Sequence, residues 1–129
     1  MRGAVVCSHQ IAADAGAKAM EHGGNAIDAT VAVAMALAVL DPANCGVGGY
    51  GGFMVIQKTP QDIPVTIDFN ATVAKEFNPA LLRSNKIGVN YFGSAASVST
   101  PLVLRGLLKA HLEFGSQDFA PLLNAAIAA

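Results

Sequence analysis

The chain has 129 residues, of which 53% are hydrophobic and only 13% are charged, and its formal net charge is −1. Soluble domains carry about 25% charged residues, so a surface this poor in charge predicts that more polypeptide covers part of it. The charges are balanced, no basic patch is present and Trp is absent, so we expect no nucleic-acid partner.

The sequence shows no membrane or export signal. The longest apolar stretch, residues 29–40, is shorter than the about 20 residues that a membrane-spanning helix needs. No long apolar run follows Arg2, so we expect no signal peptide and no membrane partner, and we favour a cytoplasmic location. Cys7 and Cys45 lack metal-ligand spacing and are interpreted as two small buried thiols, with a disulfide between them as the alternative.

The chain begins with a predicted strand and helix. Residues 4–7 are β-prone, and Ser8 is the candidate N-cap of an alanine-rich helix over residues 11–22. Gly23 and Gly24 are predicted to end that helix, because glycine accepts the left-handed conformation common at helix termini.

A second helix is predicted over residues 26–40. Asn25 can cap it, and Asp28 follows three residues later, where a carboxylate meets the free N–H groups of the first turn. Asp41 before Pro42 ends it. Because this helix is apolar on all sides, we expect it to be buried and to pack on a sheet.

A glycine-rich loop and two strands come next. Residues 44–52 contain five glycines, and residues 53–58 and 65–69 predict two strands joined as a hairpin with a longer loop. Residues 46–51 also fit G-x-G-x-x-G, but a dinucleotide site needs a strand before the loop and a helix after it. Here the order is reversed, which favours a loop with positive φ angles or close backbone contact.

The C-terminal half predicts mainly helices. Residues 78–83 can form a short helix. Thr100 as N-cap and Pro101 at the first position predict a longer helix that ends before Gly115. A last helix is predicted to reach residue 129 from one of two polar residues, Ser116 or Asp118.

No catalytic group is visible from the residues alone. The hydroxyl-rich residues 94–100 lack a G-x-S-x-G elbow and are interpreted as turn and capping residues. The three histidines lack metal-ligand spacing and are assigned to caps, helix ends or surfaces: His9, His22 and His111. We therefore expect no metal and no cofactor.

Three motifs follow one another along the chain. Residues 8–12 and 23–29 carry a hydroxyl-His-x-x-Ala start and then Gly-Gly-Asn-Ala-hydrophobe-Asp-Ala. Residues 46–54 carry a Gly-hydrophobe-Gly-Gly loop that leads to Gly-Phe-Met, and residues 98–106 with 114–115 look like a Pro-Gly-Thr-Val-x-Gly-Leu helix with a Tyr-Gly end. In this order they resemble the N-terminal part of the large chain of the γ-glutamyltransferase (γ-glutamyltranspeptidase) family, whose relatives include the cephalosporin acylases.

The resemblance implies an α/β fold, the αββα sandwich of the N-terminal nucleophile hydrolases. Residues 1–129 would be the N-terminal part of a γ-glutamyltransferase-like domain, truncated at its C-terminal end. The family's precursor cleaves itself, and the nucleophile is the N-terminal Thr of the small chain, outside this chain, with its own amine as the base. The implied partners are a γ-glutamyl or related acyl-amide small molecule and the rest of the same precursor.

The segment after the second strand departs from the family pattern at two positions. After the second strand the family usually has Asp-x-Arg-Glu-x-Ala-Pro, and its Arg grips the α-carboxylate of the glutamyl group. Here Asn70 follows Asp68 where that Arg is expected, and Ala74 stands where Pro is expected. Asn70 is therefore the candidate substrate-binding residue, and Lys75 or Arg83 is an alternative source of positive charge.

These observations leave three functional hypotheses. The first is a fragment of an enzyme that cleaves γ-glutamyl or related acyl amides and transfers the acyl group to water or an amine. The alternative is a non-catalytic relative that acts in binding or assembly. The third is a nucleotide-binding domain built on the glycine-rich loop.

Overall fold

The computed structural model describes residues 3–78 and 97–129. The elements within these ranges are, in chain order, α1 (Gln10–Glu21), α2 (Ala26–Leu40), α3 (Pro42–Cys45), β1 (Phe53–Ile56), β2 (Val65–Asp68), α4 (Val103–Phe114), α5 (Phe119–Leu122) and α6 (Asn124–Ala128). No helix in these ranges is long and apolar enough to cross a membrane.

The N-terminal prediction is correct for the helix and wrong for the strand. Residues 4–7 form no strand, because nothing in the described ranges pairs with their backbone. The N-cap of α1 is His9 rather than Ser8: its Nδ1 accepts from Ile11 N–H at 3.3 Å. The imidazole of His9 therefore caps the helix in place of the Ser8 hydroxyl, which confirms the capping role suggested for His9. Gly23, at φ 92°, follows the helix as predicted.

The α1 and α2 helices pack against each other through small residues. The cluster between them is built from buried residues of α1, α2 and α5: Ala12, Ala15, Ala19, Val31, Ala32, Ala36 and Leu122. Because most of these side chains are methyl groups, the two helix backbones approach closely.

The prediction for α2 is correct in its bounds and its capping, and wrong in its main packing partner. Asn25 Oδ1 accepts from Ile27 N–H at 2.8 Å and from Asp28 N–H at 3.2 Å. Asp28 Oδ2 accepts from Asn25 N–H at 2.8 Å, which completes a capping box between Asn25 and Asp28. The helix packs mainly on α1 and the C-terminal helices, and it contributes Ile27, from its first turn, to the cluster on the sheet. Half of the Val39 side chain is exposed near the other end of the helix.

The two strands form the predicted antiparallel hairpin, in a register that pairs Phe53 with Asp68 and Ile56 with Val65. Its inner face packs on α4 and α2 in a second core cluster made of Ile27, Ile56, Ile67 and Ala110, with Met54, Phe69 and Phe114 against it. Its outer face leaves Phe53 66% and Val55 67% exposed.

The predicted long helix begins later than expected. Thr100 is not its N-cap; it pairs with Thr72 in an isolated antiparallel bridge, with N–H···O distances of 2.8 and 3.1 Å. This pairing suits a residue before Pro101, which disfavours helical angles, so α4 starts only at Val103. Gly115 ends the helix as predicted.

The predicted last helix is interrupted. It divides into α5 and α6 at Leu123, whose N–H bonds Ala120 O at 3.1 Å, one residue short of α-helical spacing. Pro121 also removes a backbone donor from this segment. Residues 79–83 of the other predicted short helix lie outside the described residues.

The architecture within the described ranges is helical, with one two-stranded sheet. It agrees with a mixed α/β fold and does not by itself amount to the sandwich that the family resemblance implies. Cys7 and Cys45 are free and partly buried, as the thiol interpretation predicts.

Candidate functional site

The candidate substrate-binding residue lies just beyond the end of β2. Asn70 is half-buried, and both its backbone N–H and its Nδ2 donate to Asp68 Oδ1, at 2.9 Å each. A carboxylate that accepts from the second residue along forms an Asx turn, and here the turn also fixes the Asn70 side chain. The arrangement places a neutral amide beside an anion.

The end of the glycine-rich loop lies opposite this turn. Phe69 N–H donates to Gly52 O at 3.0 Å and Ala71 N–H donates to Tyr50 O at 2.7 Å, so the hairpin ladder continues past β2. Gly51 lies between these bonds with φ 92°. An added Cβ there would lie 2.1 Å from Phe69 O. The predicted positive φ and close backbone contact are therefore confirmed at Gly51.

The loop does not have the surroundings of a dinucleotide site. Helix α3 precedes it and strand β1 follows it, which is the order that argues against pyrophosphate binding.

Asp68 has no ion-pair partner, whether Lys, Arg or His, in the part of the chain that the structure describes. Lys75 is exposed, and Arg83 lies outside the described residues. The turn can donate and accept hydrogen bonds through the amide, and the carboxylate favours a positively charged ligand group over a negative one.

The second polar cluster surrounds one buried carboxylate, and sequence reasoning found only half of it. Asp28 is fully buried and accepts from Ser116 Oγ at 2.6 Å, from Ser116 N–H at 3.1 Å and from Gln117 N–H at 3.4 Å, besides the capping bond from Asn25. Its role as an N-terminal cap was predictable from spacing. Its bonds to residues 88 and 89 positions later were not, because no local pattern encodes them.

Hydrogen bonding keeps this buried carboxylate ionised. Burial opposes the charge, but the hydrogen bonds from the Ser116 hydroxyl and from the N–H groups of Asn25, Ser116 and Gln117 outweigh it and lower the pKa of Asp28. His111 Nε2 lies 3.6 Å from Asp28 Oδ1 and 2.9 Å from Gln117 O. Since a carbonyl only accepts, that nitrogen carries the proton. The cluster joins the start of α2 to the segment after α4.

The other histidines lie at helix ends, as predicted. His9 caps α1, and His22 follows it with Nδ1 2.7 Å from Lys18 O. In the described ranges no three His, Cys, Asp or Glu side chains converge as metal ligands.

A cavity of about 520 Å³ lies away from Asn70, between α1 and the two short C-terminal helices. Small apolar residues make up about half of its lining, and the polar residues in the lining are Lys18, His22, Gln117, Asp118 and Asn124. Gln117 Nε2 bonds His22 O across it at 2.8 Å. No sequence pattern indicated this cavity.

Comparison with known proteins gives these features a family context. The family model for gamma-glutamyltranspeptidase matches residues 12–129. A glutathione hydrolase proenzyme of Pseudomonas sp. strain A14 is 36% identical over 97% of this chain, and an acylase ACY 1 proenzyme of Pseudomonas sp. strain V22 is 34% identical over 98% of it. The chain spans 22% and 24% of the length of these two relatives.

A solved structure is also similar. It is a gamma-glutamyltranspeptidase from Pseudomonas nitroreducens complexed with L-DON, and it superposes with a TM-score of 0.87 at 32% identity over 98% of this chain and 38% of that one.

Proposed function

This chain belongs to the γ-glutamyltranspeptidase family, and we propose that it is the N-terminal part of an enzyme that cleaves γ-glutamyl or related acyl amides. The observation that carries the proposal is the family match over residues 12–129, supported by the similarity to a solved member of the family. The acyl group is passed to water or to an acceptor amine.

The proposed nucleophile lies outside this chain. In a proenzyme of this kind, self-cleavage exposes an N-terminal Thr on the small chain. Its oxygen bonds to the acyl carbon as the C–N bond of the substrate breaks, and its proton passes through its own α-amine to the departing amine. A free α-amine titrates at about pH 8, so it can take up that proton near neutrality. Water or an amine then attacks the ester and releases the enzyme.

We further propose that the β1–β2 hairpin and its helices belong to an αββα sandwich of the N-terminal nucleophile hydrolase type. Residues 1–129 would then be the first part of a larger domain. Two features support this: the outer sheet face carries the exposed side chains of Phe53 and Val55, and the chain spans about a fifth of the relatives' length.

Asn70 is the proposed contact to the acyl group. It is fixed by Asp68 Oδ1 at a strand end, and no Lys, Arg or His among the described residues forms an ion pair with Asp68. A free α-carboxylate on the substrate would therefore meet a neutral amide and a nearby anion. Substrates without that carboxylate, such as glutaryl or other acyl amides, should compete better than γ-glutamyl ones.

The test is selectivity in the full-length, self-cleaved protein. We expect Asn70→Arg to shift the ratio of kcat/KM for a γ-glutamyl anilide against a glutaryl anilide towards the γ-glutamyl substrate. A charged hydrogen bond contributes about 1.5–3 kcal/mol, so the shift should be about tenfold to a hundredfold. Asn124→Arg, which adds the same charge at an exposed position on α6, should leave the ratio unchanged. An unchanged ratio in Asn70→Arg removes Asn70 from the acyl site.

The second candidate function is a non-catalytic relative that acts in binding or assembly. The observation in its favour is the neutral Asn70 where the family places a carboxylate-gripping Arg. If the full-length protein hydrolyses neither anilide, the non-catalytic alternative is favoured.

A further inference from the structure

Phe69 connects Asn70 to the protein interior. Its ring packs against the second core cluster, below the hairpin, while its backbone continues directly into the Asx turn. Any displacement of Phe69 therefore moves the backbone that carries Asn70.

Two glycines from different parts of the chain lie very close to this segment. A Cβ added at Gly51 would lie 2.1 Å from Phe69 O and 2.7 Å from Asn70 Cα. A Cβ added at Gly106, on α4, would lie 2.3 Å from Phe69 Cβ and 2.4 Å from its Cγ. Real Cβ atoms essentially never approach other atoms closer than 3.0 Å. Neither position can carry a side chain unless the backbone moves.

The strand end is the part that would move. Helix α4 is anchored at its C-terminal end, where Asn25 Nδ2 donates to Phe114 O at 2.7 Å, and Ala110 is fully buried under the sheet. Phe69, by contrast, lies beyond the last residue of β2, in an extension of the ladder held by two hydrogen bonds, from Phe69 N–H to Gly52 O and from Ala71 N–H to Tyr50 O.

We propose that Gly106 is a positioning residue for the acyl site: its lack of a side chain lets Phe69 seat against α4, and Phe69 in turn fixes Asn70. Gly51 performs the same function from the other side of the strand. This inference rests on the proposed contact between Asn70 and the acyl group.

The experiment measures kcat and KM of the full-length enzyme for γ-glutamyl and glutaryl anilides. Gly106→Ala should displace Phe69 by about 1 Å, and misplacement of this size can cost about a hundredfold in rate. Because Asn70 is proposed to bind the acyl group and not to react with it, we expect this loss of kcat/KM mainly as a rise in KM, with a smaller change in kcat. Gly52→Ala should have a smaller effect in the same direction, because its Cβ would meet the Phe69 ring at 3.4 Å, an ordinary contact.

A destabilised control separates positioning from folding. Val31 is fully buried in the cluster between α1 and α2, so Val31→Ala should lower thermal stability without changing KM or the preference between the two anilides. If Gly106→Ala behaves like Val31→Ala, with less active protein and an unchanged KM, the positioning role is wrong.

A suppressor and a second variant complete the test. In a background that carries Phe69→Gly, which removes the clashing atoms, Gly106→Ala should have little further effect on KM. If Gly106→Ala does not fold, Phe69→Leu provides a second variant. It weakens the packing of residue 69 against α4 without introducing a clash, and it should raise KM by itself. An unchanged KM in Phe69→Leu overturns the inference.

The two proposals can fail separately. If Asn70→Ala changes KM and Gly106→Ala does not, the positioning inference alone is wrong. If Asn70→Ala leaves both constants unchanged, the proposed acyl contact is wrong, and the positioning inference is overturned with it.

Discussion

Replacing Asp28 with Asn tests how strongly one buried carboxylate holds the start of α2 to the segment after α4. Asn keeps one acceptor oxygen and turns the other into an NH₂ donor. If its oxygen takes the place of Oδ2, which bonds Asn25 N–H and the Ser116 hydroxyl, the NH₂ group faces two backbone donors. These are Ser116 N–H and Gln117 N–H, 3.1 and 3.4 Å from Oδ1; Ser116 N–H also lies 3.1 Å from Oδ2 and keeps that acceptor, whereas Gln117 N–H loses its acceptor.

The structure sets the size of the effect. A buried donor left without an acceptor costs about 1–3 kcal/mol, so the loss of the Oδ1 acceptor for Gln117 N–H predicts a fall of about 1–3 kcal/mol in the free energy of unfolding. Urea unfolding of the full-length protein, followed by far-ultraviolet circular dichroism, measures it. Asp14→Asn is the matched control, since Asp14 is exposed and accepts one hydrogen bond, from Gln10 Nε2. It should stay within about 0.5 kcal/mol of wild type.

The pH dependence has a definite sign. Because hydrogen bonding lowers the pKa of Asp28 below its ordinary value of 3.8, its stabilisation is fully present above pH 3.8 and is lost as the pH falls through the lowered value. The stability difference between wild type and Asp28→Asn should therefore shrink below pH 3.8. The reasoning is refuted if Asp28→Asn unfolds at the same urea concentration as Asp14→Asn at pH 7.

Two further predictions concern the chain as a whole. Residues 1–129 alone should have no acyl-transfer activity, because they contain no activated nucleophile. If the purified chain hydrolyses a γ-glutamyl anilide well above the buffer rate, this prediction is wrong. Val33→Asp and Leu37→Asp should each lower the free energy of unfolding of the full-length protein by about 2–5 kcal/mol, and with it the melting temperature. Each of these side chains packs against the cluster between α1 and α2, where an aspartate would be unpaired. Unchanged melting temperatures in both variants would show that this face of α2 is not in a core.

Local signals in the sequence predicted the local structure well. The bounds of α2, its Asn25 cap and the hairpin all follow from patterns within a few residues, and the structure confirms them. The failures involve competition from distant groups. Thr100 has the chemistry of an N-cap, but it pairs with Thr72, and a pairing of segments that far apart leaves no local mark.

The candidate site divides in the same way. Position and resemblance made Asn70 the candidate, which stays a prediction, and the Asx turn with Asp68 is a local feature of residues two apart. The contacts of Gly51 and Gly106 with Phe69 could not be predicted, since a glycine does not show from sequence which atom needs its empty space. The long-range partners of Asp28 were missed for a related reason: Ser116 and Gln117 have ordinary loop chemistry.

Because Asp28 accepts both a local and a long-range set of hydrogen bonds, its bonds form at different times during synthesis. Its capping bond to Asn25 is local and can form as soon as α2 has left the ribosome, whereas its bonds to Ser116 need a residue 88 positions later. At about 5–20 residues per second, that residue follows roughly 4–18 s afterwards. For that interval the carboxylate must stay hydrated, so the start of α2 cannot reach its final buried state until the helix after the hairpin has been made.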